Sequence, residues 1–336
     1  FGPTYYSVNI GKVHYIMLDN QVYLNEPLPN AKPGKNIVGA RNRVTSITRA
    51  QLDWLAKDLA TVTDKNTPIV LAAHAPIFRY EDYMDAPIKC NLPEEQRNEF
   101  VALLKEFSTV HILSGHTHRN RCCYGRDDAA QPDIANITEH TVSAVSGTRW
   151  HTTAFGGPQI AVTGDPAGCK IFKIADNDIS WYFKATEFDA DTQFRCFDMN
   201  QVAQFYNTSG EMKVFLDHYP KRTNYGKKAG SNEVMIHVWD WANDWKIKVT
   251  EDGKELDVTR KKAENPQYVL AYEVAKRLWT FDLKSSSSKK KTRHPHMFHV
   301  TTSSPNSTLE VTVTDCFGNE YHQTMERPKP FHLHMK

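Results

Sequence analysis

Three histidines stand where this chain of 336 residues could assemble a metal centre. His116 and His118 lie one residue apart in a Gly-His-Thr-His run behind the largely apolar residues 110–113, and His74 closes a second apolar run, residues 68–74. Neutral imidazole is a common ligand for zinc, iron, nickel and copper, and manganese accepts it in mixed nitrogen and oxygen sites. A glycine before the pair admits close approach of backbone, and a short loop at a strand end holds both rings with little entropy left to lose. His-x-His alone is a weak signal in a chain with 15 histidines, and two further pairs occur at 294–296 and 332–334. One of those abuts a Ser/Lys run and the other is in the C-terminal tail, so an ordinary role is favoured for both. The pair at 116 and 118 differs in its position behind a buried strand, matched by His74 behind the neighbouring one.

The elements that must position these rings are legible in the periodicity. Residues 5–10 and 13–19 read as a hairpin turning at Gly11-Lys12. Thr48 and Gln51 form a capping box, and Leu52, Leu55, Ala56 and Leu59 follow at helical spacing. Residues 68–74 are a short continuous apolar run of the kind buried on both faces of a sheet. A second helix starts near Pro93, with Phe100, Leu103, Leu104 and Phe107 on one face, and leads into the strand before His116. Parallel strands joined by a helical crossover end on the same edge of the sheet, where open α/β sheets bind ligands. His74, His116 and His118 are therefore expected to converge.

From about residue 139 the pattern shifts to strands: 140–147, a hairpin over 169–185 turning at 176–178, and further strands in 232–241, 245–258, 296–302 and 307–325. Beyond about residue 190 the chain reads as all-β, at the spacing of a small sandwich. The expected organisation is an α/β domain over 1–190 and a β-sandwich over 191–336. His14 and His111 sit within strands beside apolar residues and read as satisfied core histidines. Trp239, Trp241 and Trp245 read as sandwich core, with a sugar-binding platform as the rival. The run 284–293 reads as a solvated loop.

Composition narrows the function classes. The chain is 40% hydrophobic and 24% charged, ordinary for a soluble globular protein, and its net charge of +2 carries no field that points to nucleic acid as a partner. The six cysteines show no Cys-x-x-Cys spacing, which argues against a zinc ribbon or a thioredoxin-like centre. No apolar run is long enough to span a bilayer, and the N-terminus has no signal-peptide pattern.

The blocks around His74 and around Gly-His-Thr-His, some forty residues apart, resemble the last two metal-binding blocks of the calcineurin-like metallophosphoesterases. Residues 1–20 resemble the hairpin that follows the third block. Segments 144–151 and 164–174 and the C-terminal region resemble the bacterial members with an added C-terminal domain. The resemblance implies a partial calcineurin-like α/β sandwich plus a C-terminal all-β sandwich, and a hydrolase of phosphomonoesters or phosphodiesters. It implies two divalent ions, with Mn, Fe, Zn and Mg not distinguished. His74 and His116 would bind one ion and His118 the other. Arg119, directly behind the block, reads equally as a bidentate partner of phosphate and as one half of an ion pair on its loop. In the resembling subgroup the segment with Arg149, Trp150 and His151 lies near the pocket, with packing favoured over substrate stacking for Trp150. The resemblance further implies a periplasmic or secreted location.

The sequence departs from the family pattern ahead of His74, where no Asp-x-His, Gly-Asp-x-x-Asp or Gly-Asn-His block occurs. The bridging aspartate, the asparagine and the candidate acid are missing, so no catalytic residue is assigned in this chain. By the resemblance, the candidate acid is expected upstream of Phe1. A fragment is expected, inactive or nearly so, its metal site empty or partial. The cause is a cut, proteolysis or a naturally short protein. Exposed sheet edges would then be covered by the missing N-terminal segment or a second copy of the chain. The rival reading is a binding module for glycan or protein on a non-catalytic α/β scaffold. A weaker one makes His74, His116 and His118 a structural zinc site.

Overall fold

The computed structural model describes residues 2–23, 43–81, 85–147, 156–275, 278 and 293–335. The chain is mixed α/β, with several sheets and few helices. It divides into two compact units, one of residues 1–117, 121–142 and 172–180, the other of residues 118–120, 143–171 and 181–336.

The first unit is built on a six-stranded sheet. Its spatial order is Tyr6–Ile10, Val13–Leu18, Ile69–Ala73, Val110–Ser114, Ile137–Thr141 and Arg121–Tyr124. The opening hairpin forms as expected, with Gly11 taking a left-handed φ of 60° at its turn. Val13–Leu18, Ile69–Ala73, Val110–Ser114 and Ile137–Thr141 run parallel. Two helices form the crossovers. Arg49–Ala60 is capped by Thr48, whose side chain accepts from the Gln51 N–H, and Glu94–Leu104 follows Pro93. The first buries Leu52, Leu55 and Leu59, the second Phe100, Val101 and Leu104. They form one core with the sheet face that presents Ile16, Leu18, Ile69, Leu71, Val110, Ile112 and Ile137. Alternate residues point the other way, so Val70, His111 and His140 belong to the opposite face, where Phe172 packs on His140 at 5.1 Å between ring centroids.

Both strand-embedded histidines are satisfied core residues. His14 lies 2.7 Å from Asn9 Oδ1 and 2.9 Å from Asp58 Oδ2, and His111 Nδ1 lies 2.9 Å from His140 Nε2. All six cysteines are free thiols.

The second unit corrects the expectation of an all-β region. It holds two four-stranded sheets, one of Phe194–Asp198, Glu233–Val238, Met297–Thr301 and Thr259–Arg260, the other of Lys254–Glu255, Lys246–Glu251, Leu309–Thr314 and Glu320–Met325. Between these strands, however, lie the helices Met199–Thr208 and Gly210–His218, and a helical turn Pro266–Tyr268 that continues as a π-helix over Val269–Val274. The reason is local. Asp198 caps the first helix by accepting from the Asn200 N–H, and Met199, Val202, Ala203 and Tyr206 fall on one face. These helices cover one face of the first sheet, where Phe197, Met235 and Met297 share a core with Val202, Phe215 and Val269. The strand Glu233–Val238 is consequently buried along nearly its whole length. The second sheet buries alternate residues only: Leu309, Val311 and Val313 are inside, while Glu310, Thr312 and Thr314 are more exposed. The Asp252-Gly253 hairpin turn forms as expected, with φ of 50° and 77°.

Trp239, Trp241 and Trp245 are at most 7% exposed. Trp241 packs on Phe298 at 4.4 Å and faces Trp245, which stacks near Tyr321. Trp241 and Trp245 thus bridge the two sheets as core, Trp239 packs on Phe183 and Phe188, and the buried faces of all three are not available as a sugar platform. Among the described residues no helix is long and apolar enough to cross a membrane.

Candidate metal centre

The parallel register fixes where the histidines emerge. Leu18 is level with Ala73, Ala72 with Leu113, and Ser114 with Thr141, so the residues after Ala73 and Ser114 leave the sheet on one edge. There His74 Nε2 lies 2.9 Å from His116 Nδ1, the rings nearly perpendicular, with centroids 4.8 Å apart. Both side chains are exposed.

The geometry fits a shared ion. Two imidazole nitrogens, each about 2.0–2.1 Å from one ion and subtending about 90° there, would sit about 2.9 Å apart. With no ion, the same pair is a hydrogen bond in which one ring donates to the other. Two neutral imidazoles are a modest donor set, and among the described residues no group of three or more His, Cys, Asp and Glu is placed to hold a metal. His74 and His116 are thus compatible with an ion as a pair.

The backbone at this edge is unusual. His116 and His118 both adopt left-handed φ, 62° and 53°, which side chains other than glycine seldom do. Such conformations cost free energy and persist where the surroundings impose them, frequently at functional sites. Gly115 is not in that region. A Cβ there would meet only Val142 O and His74 O, at 3.9 and 4.0 Å, so the chain's own packing does not demand the glycine. Its N–H donates to His74 O at 3.0 Å and ties the two loops together.

Two buried side chains that sequence reasoning passed over hold these loops. Asn20 is fully buried, accepts from the Ala75 N–H at 3.0 Å and donates to Ala75 O at 2.7 Å, gripping the residue after His74 from both sides. Glu139 accepts from Ile77 N–H at 2.9 Å, from Phe78 N–H, and from Ser114 Oγ at 2.7 Å. One carboxyl therefore ties the loop after His74 to the strand end before His116. Burial pushes this carboxyl up to about 7, although the three hydrogen bonds work in the opposite direction. The available signal was parity. Glu139 alternates in phase with Ile137, which faces the core, and an inward acid in a strand needs partners.

His118 and Arg119, both partly buried, belong to the second unit, where the following residue, Asn120, donates to Trp239 O at 3.1 Å. Arg149, Trp150 and His151 lie outside the described residues. So does Phe1, the residue upstream of which the candidate acid is expected. The buried Glu139 is turned to backbone and to Ser114.

The first unit thus presents His74 and His116 side by side where two adjacent parallel strands of its sheet end. Residues 139–321, more than half of the chain, match the model of the C terminal of Calcineurin-like phosphoesterase. The chain belongs to the calcineurin-like phosphoesterases, a family that generally uses divalent metals. No curated protein matches it.

Proposed function

We propose that this chain carries part of the binuclear centre of a phosphoric ester hydrolase, with His74 and His116 as ligands of one divalent ion and His118 as a ligand of the second. The observation that supports this reading is the 2.9 Å separation of His74 Nε2 and His116 Nδ1 at one sheet edge, in a member of the calcineurin-like phosphoesterases. When bound, paired divalent ions clamp phosphoryl oxygens and lower the pKa of a bridging water. The chain's own part is to orient. Asn20 and Glu139 hold the two loops, and the left-handed turns at His116 and His118 set the ring directions. Arg119 is the proposed bidentate partner of the phosphate, with Arg149, Trp150 and His151 as further substrate contacts. The substrate is a phosphomonoester or phosphodiester, and the location is the periplasm or the exterior of the cell.

With three imidazoles as its proposed ligands, the 336-residue chain is expected to bind divalent metal weakly and to hydrolyse p-nitrophenyl phosphate no faster than buffer. Calorimetric titration with zinc tests the assignment. His74→Ala and His116→Ala should each weaken binding at least about tenfold, since each removes one of few donors. Undiminished zinc affinity in the double variant would refute the ligand assignment. Manganese-stimulated turnover by the unaltered chain would refute its inactivity.

A further inference from the structure

The second unit contains a cavity of about 140 Å³ that none of the metal chemistry uses. Its walls include Ile160, Pro166, Phe188, Arg195, Gln267 and Met335. A hole of this size is far larger than one water needs, and compares with engineered apolar cavities of about 150 Å³ that accept benzene.

Arg195 sets the character of the cavity. It is 4% exposed, the second residue of the strand Phe194–Asp198, opposite His237. Its Nη1 donates to the neutral Oε1 of Gln267, and its guanidinium lies 5.4 Å from the Phe188 ring and 5.8 Å from that of Trp239. Its Nε is buried and has no hydrogen-bond partner among the described residues. Among the described residues no carboxylate lies within ion-pair distance of this cation. Asp165 and Glu187 act on it only through their field, and burial nevertheless lowers its pKa to about 10. The contrast within the same unit is direct. Arg222 pairs with Glu264 at 2.7 Å, Arg327 with Asp198 at 3.2 Å, and Lys170 with Asp240 at 2.8 Å. Removing a cation from water without a counter-charge is unfavourable, so an arginine in this state beside an open cavity is suited to receive an anion.

We propose that this cavity binds a small monocarboxylate, its oxygens taken by the Arg195 guanidinium and its short apolar body set against Ile160, Pro166, Phe188 and Met335. A planar carboxylate matches the paired N–H edge of a guanidinium. The apolar walls favour a hydrocarbon body over a second cluster of oxygens, as a phosphate would present. Glu187 and His334, the other ionisable side chains on the walls, are both exposed, so their charges are screened by solvent. The proposal is independent of the metal ligands.

Calorimetric titration of the whole chain with propionate, propionamide and inorganic phosphate tests it. Propionate should bind at least about tenfold tighter than propionamide, its neutral isostere, and tighter than phosphate; tenfold corresponds to about 1.4 kcal/mol. Arg195→Met, which keeps the length and removes the charge, should abolish propionate binding and leave zinc affinity unchanged. Equal binding of propionate and propionamide, tighter binding of phosphate, no binding of propionate, or full propionate affinity in Arg195→Met would each overturn the proposal. If Arg195→Met does not fold, the ligand comparison on the unaltered chain decides.

Discussion

His74 Nε2 stands 2.9 Å from His116 Nδ1, across 42 positions of sequence, at the carboxyl ends of two adjacent parallel strands. Both rings are exposed, so the worth of their contact is expected to lie in ligand binding. Zinc at about 100 times its dissociation constant should stabilise the unaltered chain by about 2.7 kcal/mol. His74→Ala should lose that increment while changing metal-free stability by no more than about 0.5 kcal/mol, as is usual for an exposed site. Urea unfolding with and without zinc measures both quantities. A large loss of metal-free stability would show that the histidine pair is structural.

Asn20 is expected to matter through the backbone it grips. Asn20→Ala leaves the N–H and the carbonyl of Ala75 without their partner in a buried setting. The cost should be about 2–3 kcal/mol in urea unfolding. Because the loop carries His74, zinc affinity should fall too, with no ligand removed. Unchanged affinity in a folded Asn20→Ala protein would detach this residue from the site.

Glu139 and His111 are expected to give opposite pH dependences. The Glu139 carboxyl ionises near 4.5 when unfolded and near 7 when folded, so between those values the folded state holds more protons and stability falls as pH rises. His111 is lowered by burial from 6.5 to about 4, so over that range the unfolded state holds more protons and stability falls as pH drops. At about 1.4 kcal/mol per pH unit each effect is on the order of 3 kcal/mol, and the two largely cancel. Glu139→Gln removes the first alone. Relative to the unaltered chain, the variant should gain on the order of 3 kcal/mol between pH 4.5 and 7. Parallel stability profiles for the two proteins would contradict the burial argument.

Trp241 separates the hydrolase reading from a glycan-binding module. Packed against Phe298 and Trp245, it should cost about 3–5 kcal/mol when replaced by alanine, through the cavity left behind. Chemical unfolding gives that number. A variant of unchanged stability that loses binding on a glycan array would reverse the assignment of this residue to the core.

Much of the first unit was readable because its signals are local. Thr48 with Gln51 marks a helix start, the run 69–73 is too apolar and too short for anything but a buried strand, and Gly11 marks a hairpin. The helices at 199–208 and 210–218 were equally marked, by the capping Asp198 and Ser209, yet the neighbouring strand patterns outweighed them in the reading. Their amphipathic face makes sense only once the strand Glu233–Val238 is seen to need covering on both sides.

The linear order of residues determined which side chains could do chemistry and that His74 and His116 would leave a sheet on the same edge, because strands joined by a helical crossover run parallel and so end together. It could not reveal that Asn20 and Glu139 hold those loops, or that Arg195 is buried with no carboxylate partner among the described residues. Hydrogen bonding and desolvation depend on distances between residues remote in sequence. Only the packed chain brings Glu139 to Ile77 and Ser114, and only it sets Arg195 beside a neutral glutamine and an open cavity.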